Sequence, residues 1–89
     1  MNLLGVKYSV IKDEFDCLKN AELDEYVTDF FTEFDYIVGD YAYDKLRLKG
    51  FYDDSNKKKK KYNNIKHVDD YIKNKCAYGC KYFVIKKID

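Results

Sequence analysis

The sequence contains no proline and no tryptophan among its 89 residues. Without proline, folding does not wait for the slow cis–trans isomerisation of an X-Pro bond. No apolar run approaches the roughly 20 residues that cross a bilayer. Residues 1–5 also lack the basic and apolar regions of a signal peptide. We therefore expect a cytoplasmic protein that does not associate with a membrane.

Cysteine and histidine are scarce, with Cys17, Cys76, Cys80 and one histidine, His67. An odd cysteine count without a secretory signal argues against a disulfide framework. Zinc needs four ligands, usually in two close pairs, and only one such pair exists here. No metal site is predicted. Cys76 and Cys80 could form a thiol redox switch, but buried free thiols that simply pack are favoured.

Motifs that bind phosphate or build a nucleophile are also missing. The four glycines are scattered, and no serine stands in a Gly-x-Ser-x-Gly context. The sequence therefore predicts no cofactor and no catalytic residue, and it indicates no substrate class.

The residues that are present predict one small folded domain spanning 1–89, with 46% hydrophobic and 37% charged residues. The charge is unevenly distributed. Residues 1–44 carry a net charge of −8 and residues 45–89 a net charge of +9. This asymmetry is compatible with a nucleic-acid face or an acidic partner, but an acidic helix packed beside basic strands is favoured.

Hydrophobic periodicity predicts strands at 6–12, 34–38, 44–52 and 80–87, helices at 21–33 and 66–78, and a turn at 39–42. The first helix rests on an apolar stripe at helical spacing: Leu23, Tyr26, Val27, Phe30, Phe31 and Phe34. The resulting β-α-β-β-α-β order predicts an α+β domain with one four-stranded, mostly antiparallel sheet and both helices on one face, as in ferredoxin-like domains. The last strand is apolar on both faces and is expected at the centre of the sheet.

Residues 53–64 have no apolar periodicity and are expected to form a solvated loop. This loop carries the lysine run Lys57, Lys58, Lys59, Lys60 and Lys61, followed by Tyr62. Lysines attract phosphates and a tyrosine can stack on a base, so these six residues are candidate nucleic-acid contacts. A lysine run that is merely solvated is the favoured interpretation.

Two blocks of the sequence resemble the YutD-like family of small bacterial proteins. One runs from Phe34 to Tyr41 and continues through Lys45–Phe51 as Lys-Leu-Arg-Leu-Lys-Gly-Phe. The other is Cys-Ala-Tyr-Gly-Cys-Lys-Tyr-Phe-Val at 76–84. The chain departs from the family pattern at Tyr41, where tryptophan is usual. The resemblance implies a small cytoplasmic α/β domain and implies no reaction.

Five residues are the predicted partner-binding site: Asp40, Tyr41, Arg47, Lys49 and Phe51. Asp40 and Tyr41 follow a strand at a position where core packing does not require an acid followed by an aromatic residue. The other three share one face of the next strand, which would be open if the helices covered only the opposite face. We therefore favour a non-enzymatic module that binds a protein partner. An RNA- or DNA-binding accessory protein and a thiol-based sensor are the alternatives.

Overall fold

A curled antiparallel sheet with short helices on both sides forms this small domain. The fold is described from a computed structural model that covers residues 1–20, 22–42, 45–75 and 81–88. The strands are β1 (Asn2–Leu3), β2 (Val6–Asp13), β3 (Tyr36–Ala42), β4 (Lys45–Phe51) and β5 (Tyr82–Ile88). The α-helices are α1 (Leu23–Tyr26), α2 (Asp29–Thr32) and α3 (Val68–Lys75), and 3-10 helices span Glu14–Asn20, Lys61–Asn63 and Ile65–His67.

The sheet has the order β1-β2-β5-β3-β4, and every pair is antiparallel. Strand β5 is central, as its two-sided apolar pattern predicted. Strands β3 and β4 form a hairpin, in which Tyr36 pairs with Phe51 and Ala42 pairs with Lys45. The pairing of β2 with β5 shifts between Val10 and Lys12, so Ile11 is the extra residue of a β-bulge.

The prediction of four strands was wrong, because the described part of the chain contains five, and their order differs from the expected one. The strand that was missed is β1, which has only two residues. It reaches β2 through a tight turn in which both Leu4 (φ 52°) and Gly5 (φ 78°) have positive φ. A turn with two positive φ values favours Asn-Gly or Asp-Gly, so Leu-Gly gives little hairpin signal.

The predicted turn at 39–42 was also wrong, since β3 runs without a break from Tyr36 to Ala42. Gly39 is a strand residue that pairs with Phe83 of β5, and the Phe83 ring lies where a side chain would otherwise stand. A strand glycine often marks such a close approach. Asp40 and Tyr41 therefore alternate across the sheet and do not project together from a turn.

The predicted helix at 21–33 is two one-turn helices. The backbone is extended at Val27 (ψ 125°) and Thr28 (ψ 177°), between α1 and α2. Both residues are β-branched, which lowers their helix propensity. Because of this break, Leu23 and Val27 are buried while Phe30 is 62% exposed.

The expectation that both helices cover one face was wrong as well. One face packs against the 14–31 segment around Tyr8, Ile37, Phe83 and Ile85. The other face packs against α3 around Val38, Phe51, Tyr82 and Val84. Apolar side chains on both faces of β5 would otherwise meet water, so each face needs a cover.

Helix α3 lies within the predicted 66–78 segment, whose last residues fall outside the described part of the chain. It is preceded by a 3-10 turn in which Asn64 Oδ1 accepts a hydrogen bond from Lys66 N. Val68, Tyr71 and Ile72 pack against the sheet, and their i, i+3, i+4 spacing places them on one face of the helix. No helix in the described ranges is long and apolar enough to cross a membrane.

We predict that Gly39→Ala lowers the free energy of unfolding by about 2 kcal/mol, because the new methyl group would overlap the Phe83 ring. Urea denaturation measures the change. In a Phe83→Leu background the same substitution should cost less, since the smaller side chain leaves room. An equal loss in both backgrounds would contradict this explanation.

Candidate functional site

A groove lies between strand β4 and helix α3, on the face of the sheet that α3 covers. Its cavity has a volume of about 570 Å³. We call it the Lys49 groove and define it by its lining residues, Lys49, Lys61, Tyr62, His67, Asp70, Tyr71 and Asn74. The rings of Phe51 and Tyr71 meet edge to face with centroids 5.5 Å apart, and this contact joins the strand to the helix beneath the groove.

The ends of the 53–64 loop are joined by backbone hydrogen bonds. Tyr52 N donates to Asn63 O at 2.7 Å, and Ile65 N donates to Tyr52 O at 2.9 Å. These bonds form a parallel bridge between Tyr52 and Asn64. The closure places Lys61 and Tyr62, the last exposed residues of the loop, at the rim of the groove.

Two carboxylates hold the loop in shape, that of Asp35 from outside it and that of Asp54 from within it. Asp35 Oδ2 accepts hydrogen bonds from Asp53 N at 2.8 Å and Asn56 Nδ2 at 2.9 Å. Asp54 Oδ1 accepts from Asn64 Nδ2 at 2.7 Å and lies 3.4 Å from the ammonium groups of Lys59 and Lys66. These contacts lower the pKa of Asp54 to about 2, and the hydrogen bond from Asn64 has the largest effect. The loop is therefore an ordered wall of the groove.

The ammonium group of Lys49 lies among three aromatic rings. Its Nζ is 5.4 Å from the ring centroid of Phe51 and 5.5 Å from those of Tyr62 and Tyr71. The attraction between a cation and each ring face is worth about 0.5–1 kcal/mol at exposed sites. Lys49 Nζ forms no hydrogen bond or ion pair with a described residue. A half-buried cation is thus held in place with its N–H donors still available.

A buried ion pair lies beside the groove. Asp40 is 1% exposed, and its Oδ2 accepts hydrogen bonds from Arg47 Nη2 at 2.5 Å and Nε at 3.2 Å. The guanidinium group remains partly in water, with a side chain that is 44% exposed. Burial is the main cause that raises the pKa of the Tyr71 phenol, and the negative charge of Asp40 raises it further. Asp40 therefore orients Arg47 from a buried position beside the groove.

The five predicted partner-binding residues separate in the structure. Arg47 and Lys49 lie on the groove face, and Asp40 is buried under Arg47. Phe51 is fully buried, so its ring supports Lys49 and Tyr71 from within the core. Tyr41 packs on the opposite face with a buried hydroxyl that has no partner in the described residues, and burial raises its pKa.

Only the end of the lysine run reaches the groove. Lys57, Lys58, Lys59 and Lys60 are exposed along the loop, and Lys61 and Tyr62 line the cavity. Lys59 contacts Asp54 within the loop. Lys58 lies 3.4 Å from Glu33, so the acidic and basic halves of the sequence meet here. Tyr62 is 66% exposed. The structure thus places Lys49, a predicted partner-binding residue, in one groove with Lys61 and Tyr62, two of the candidate nucleic-acid contacts.

The cysteine pair proposed as a redox switch, Cys76 and Cys80, lies outside the described residues. Cys17 is buried, and its burial is the main reason that the pKa of its thiol is raised to about 11. The negative charge of Asp13 is the second reason. A thiol with such a pKa is protonated and unreactive at neutral pH. In the described part of the chain no three His, Cys, Asp or Glu residues cluster as metal ligands.

Sequence reasoning missed the α3 side of the groove, formed by His67, Asp70, Tyr71 and Asn74. Their spacing of i, i+3, i+4 and i+7 places them on one side of a helix. That polar stripe runs beside the buried stripe of Val68 and Ile72, and it was visible in the sequence. Its meaning depended on knowing that β4 lies across the groove from it.

Three comparisons find similar proteins. A family model described as "Putative antitoxin YutD-like" matches residues 2–86, a range that contains the whole groove. The "Putative antitoxin YutD" of Bacillus subtilis (strain 168) is 49% identical over 61 residues, which are 68% of this chain and 67% of that protein. The solution NMR structure of yutD from B. subtilis superimposes with a TM-score of 0.80 at 35% identity, covering 99% of this chain and 80% of that one.

We predict that Arg47→Met lowers the free energy of unfolding by about 2 kcal/mol, because it removes a charged partner from the buried Asp40. Lys45→Met is the matched control, since Lys45 is exposed on the same strand. It should change stability by less than about 0.5 kcal/mol. Equal effects in urea denaturation would contradict a structural role for the Asp40–Arg47 pair.

The low pKa of Asp54 predicts a stability loss in acid. A carboxylate whose folded pKa is about 2, against its ordinary 3.8, stabilises the fold fully above 3.8 and loses this effect as the pH falls through 2. Between about pH 5 and pH 2 the urea midpoint should therefore fall more in the wild type than in Asp54→Asn.

Asp24→Asn is the control for this measurement, because Asp24 is exposed on α1 and makes no hydrogen bond or ion pair with a described residue. It should keep the wild-type pH dependence. Parallel curves for the wild type and Asp54→Asn would show that the loop contacts of Asp54 do not stabilise the fold.

Proposed function

This chain belongs to the YutD-like family, and from that premise we propose that it is a non-enzymatic antitoxin-type protein that restrains a protein partner by binding it. The Lys49 groove is the surface that holds the partner. An antitoxin that acts by occupying its target needs a complementary surface and no catalytic group. This agrees with a sequence in which no catalytic motif occurs.

The composition of the groove is the observation that carries this proposal. Tyrosine is enriched at protein interfaces because its ring supplies a large contact area while its hydroxyl tolerates water. Tyr62 presents such a ring at the rim, 66% exposed, and Tyr71 lies inside. Energetic hot spots are typically aromatic residues at the centre of an interface. Tyr62 is the residue we expect to fill that role.

The charge of the groove indicates the chemistry of the partner. Lys49 and Lys61 outnumber the single carboxylate of Asp70, and Arg47 adds a positive charge beside the cavity. Opposite charges across an interface accelerate association and select among partners. A partner with an acidic or hydrogen-bond-accepting segment is therefore favoured over a basic one.

The fold suits a binding role because the groove is held on both sides. One wall, β4, pairs with β3 along its whole length. The other, α3, is fixed through the Phe51–Tyr71 contact and the Tyr52–Asn64 bridge before it. A preorganised surface loses less conformational entropy on binding than a mobile one.

Depletion of the chain in the cell that encodes it tests this proposal. If the chain restrains a harmful partner, growth should stop on depletion and should be restored when the gene for that partner is also inactivated. Wild-type chain supplied from a plasmid should rescue growth, but Tyr62→Ala and Lys49→Glu should not. Tyr26→Ala is the matched control, because Tyr26 is a 49% exposed tyrosine outside the groove.

Rescue by all three variants would show that the groove does not hold the partner. Unimpaired growth on depletion would contradict the antitoxin-type role itself. A photo-crosslinking amino acid at position 62, compared with the same residue at position 26, then identifies what the groove touches. Crosslinks to nucleic acid and not to protein at position 62 would overturn the proposal of a protein partner.

A further inference from the structure

Five polar side chains of the Lys49 groove make no hydrogen bond or ion pair within the described structure. Lys49, Lys61, His67, Asp70 and Asn74 form no side-chain hydrogen bond or ion pair with a described residue. Two other lysines nearby, Lys59 and Lys66, are by contrast paired with Asp54. Two lysines, an imidazole, a carboxylate and an amide therefore line one cavity with their bonding capacity unused.

The size of the cavity fits a small organic molecule. Ligand pockets typically enclose about 300–1,000 Å³, and this one encloses about 570 Å³. Such pockets combine aromatic walls with a few polar groups that orient the ligand. The tyrosine rings and the five polar side chains of the groove have that composition.

The two lysines of the groove indicate that one end of a ligand bound there is anionic. Lys49 Nζ lies within 5.5 Å of three ring centroids and forms no ion pair with a described residue, so an anion in the groove can approach it. Lys61 contributes a second ammonium group from the loop side. Hydrogen bonds between ammonium groups and phosphate oxygens are strong because both partners are charged.

The exposed ring of Tyr62 indicates that another part of the ligand is planar. Its ring is 66% exposed at the rim, and one face lies near Lys49. A nucleobase stacked on an aromatic side chain gains about 1–3 kcal/mol, and all four bases have a suitable face. Asp70 can accept hydrogen bonds from sugar hydroxyl groups, and the Asn74 amide can pair with donors and acceptors on a base edge.

We propose that the Lys49 groove binds a nucleotide, with the phosphate at Lys49 and Lys61, the base on Tyr62 and the sugar near Asp70. The nucleotide is either a free nucleoside monophosphate or one unit of a single strand. A simple anion would leave Tyr62, Asp70 and Asn74 without a role, and the carboxylate of Asp70 would oppose it. The inference goes beyond the proposed function, because it concerns a nucleotide that the chain binds without its protein partner.

The test is a titration of the purified full-length chain, followed by calorimetry and by NMR shifts of the tyrosine signals. The probes are the four nucleoside 5′-monophosphates, the matching nucleosides, inorganic phosphate, and single-stranded RNA oligonucleotides of one base. At least one monophosphate or oligonucleotide should bind more tightly than its nucleoside and than phosphate. Affinity for an oligonucleotide alone, with a steep dependence between about 50 and 200 mM salt, identifies a strand as the source.

Variants locate the binding. Tyr62→Ala should weaken the affinity at least fivefold, about the low end for loss of one stacking ring. Lys49→Gln should weaken it about tenfold, because a charge-assisted hydrogen bond is lost. Tyr26→Ala and Lys7→Gln, which remove an exposed ring and an exposed cation away from the groove, should leave it unchanged. Urea denaturation verifies that each variant is folded.

Three results would overturn the inference. The first is the absence of binding by every monophosphate and oligonucleotide. The second is binding of inorganic phosphate as tight as that of the nucleotides, since the base would then contribute nothing. The third is oligonucleotide binding that survives both Tyr62→Ala and Lys49→Gln, because the contact would then lie on exposed lysines outside the groove. None of these results depends on the growth experiment, so the two proposals fail separately.

Discussion

The burial of strand β5 on both faces is the constraint from which the rest of the structure follows. Phe83 and Ile85 point to one face and Tyr82 and Val84 to the other, and all four are buried. Burying a large apolar side chain contributes about 1.5–3 kcal/mol, so neither face can be left open to water. The 14–31 segment covers one face and α3 covers the other. The groove exists because α3 has to lie against β4 on that second face.

The lysine-rich loop illustrates how polar contacts can order a segment with little apolar content. Its fixed points are carboxylate and amide groups, namely Asp35, Asp54, Asn63 and Asn64, together with one backbone bridge. Each exposed ion pair contributes little alone, about 0–1 kcal/mol. Several that share one carboxylate, as at Asp54, reinforce one another. The result is a polar wall that positions Lys61 and Tyr62 opposite helix α3.

Periodicity in the sequence was sufficient for the strands that are long and regular. It predicted that Lys49 and Phe51 share one face of β4 and that β5 is central. It failed where tertiary contacts decide the conformation. The Phe83 ring keeps Gly39 in a strand, and the Val27–Thr28 break divides a helix whose stripe looked continuous.

The candidate site was predictable only in parts. Arg47, Lys49, Lys61 and Tyr62 could be selected as exposed cations and an aromatic residue, but nothing in the sequence linked the first two to the last two. That link requires the loop to close at Tyr52 and Asn64. The choice of Tyr41 depended on a turn at 39–42, which the continuous strand β3 removes. The choice of Phe51 depended on an open sheet face, which the covering of both faces removes.

The position of β5 along the chain has a consequence for biosynthesis. Its neighbours in the sheet, β2 and β3, both precede it in sequence, and β2 pairs otherwise only with the two residues of β1. The ribosome therefore synthesises β1 to β4 before β5, which is the strand that joins the β1–β2 pair to the β3–β4 hairpin. The growing chain must pass through a stage in which unpaired strand edges and both halves of the core are open to chaperones or to other chains. Closure of the sheet is then one late event, and substitutions in β5 should affect the yield of folded protein in cells more than its final stability would suggest.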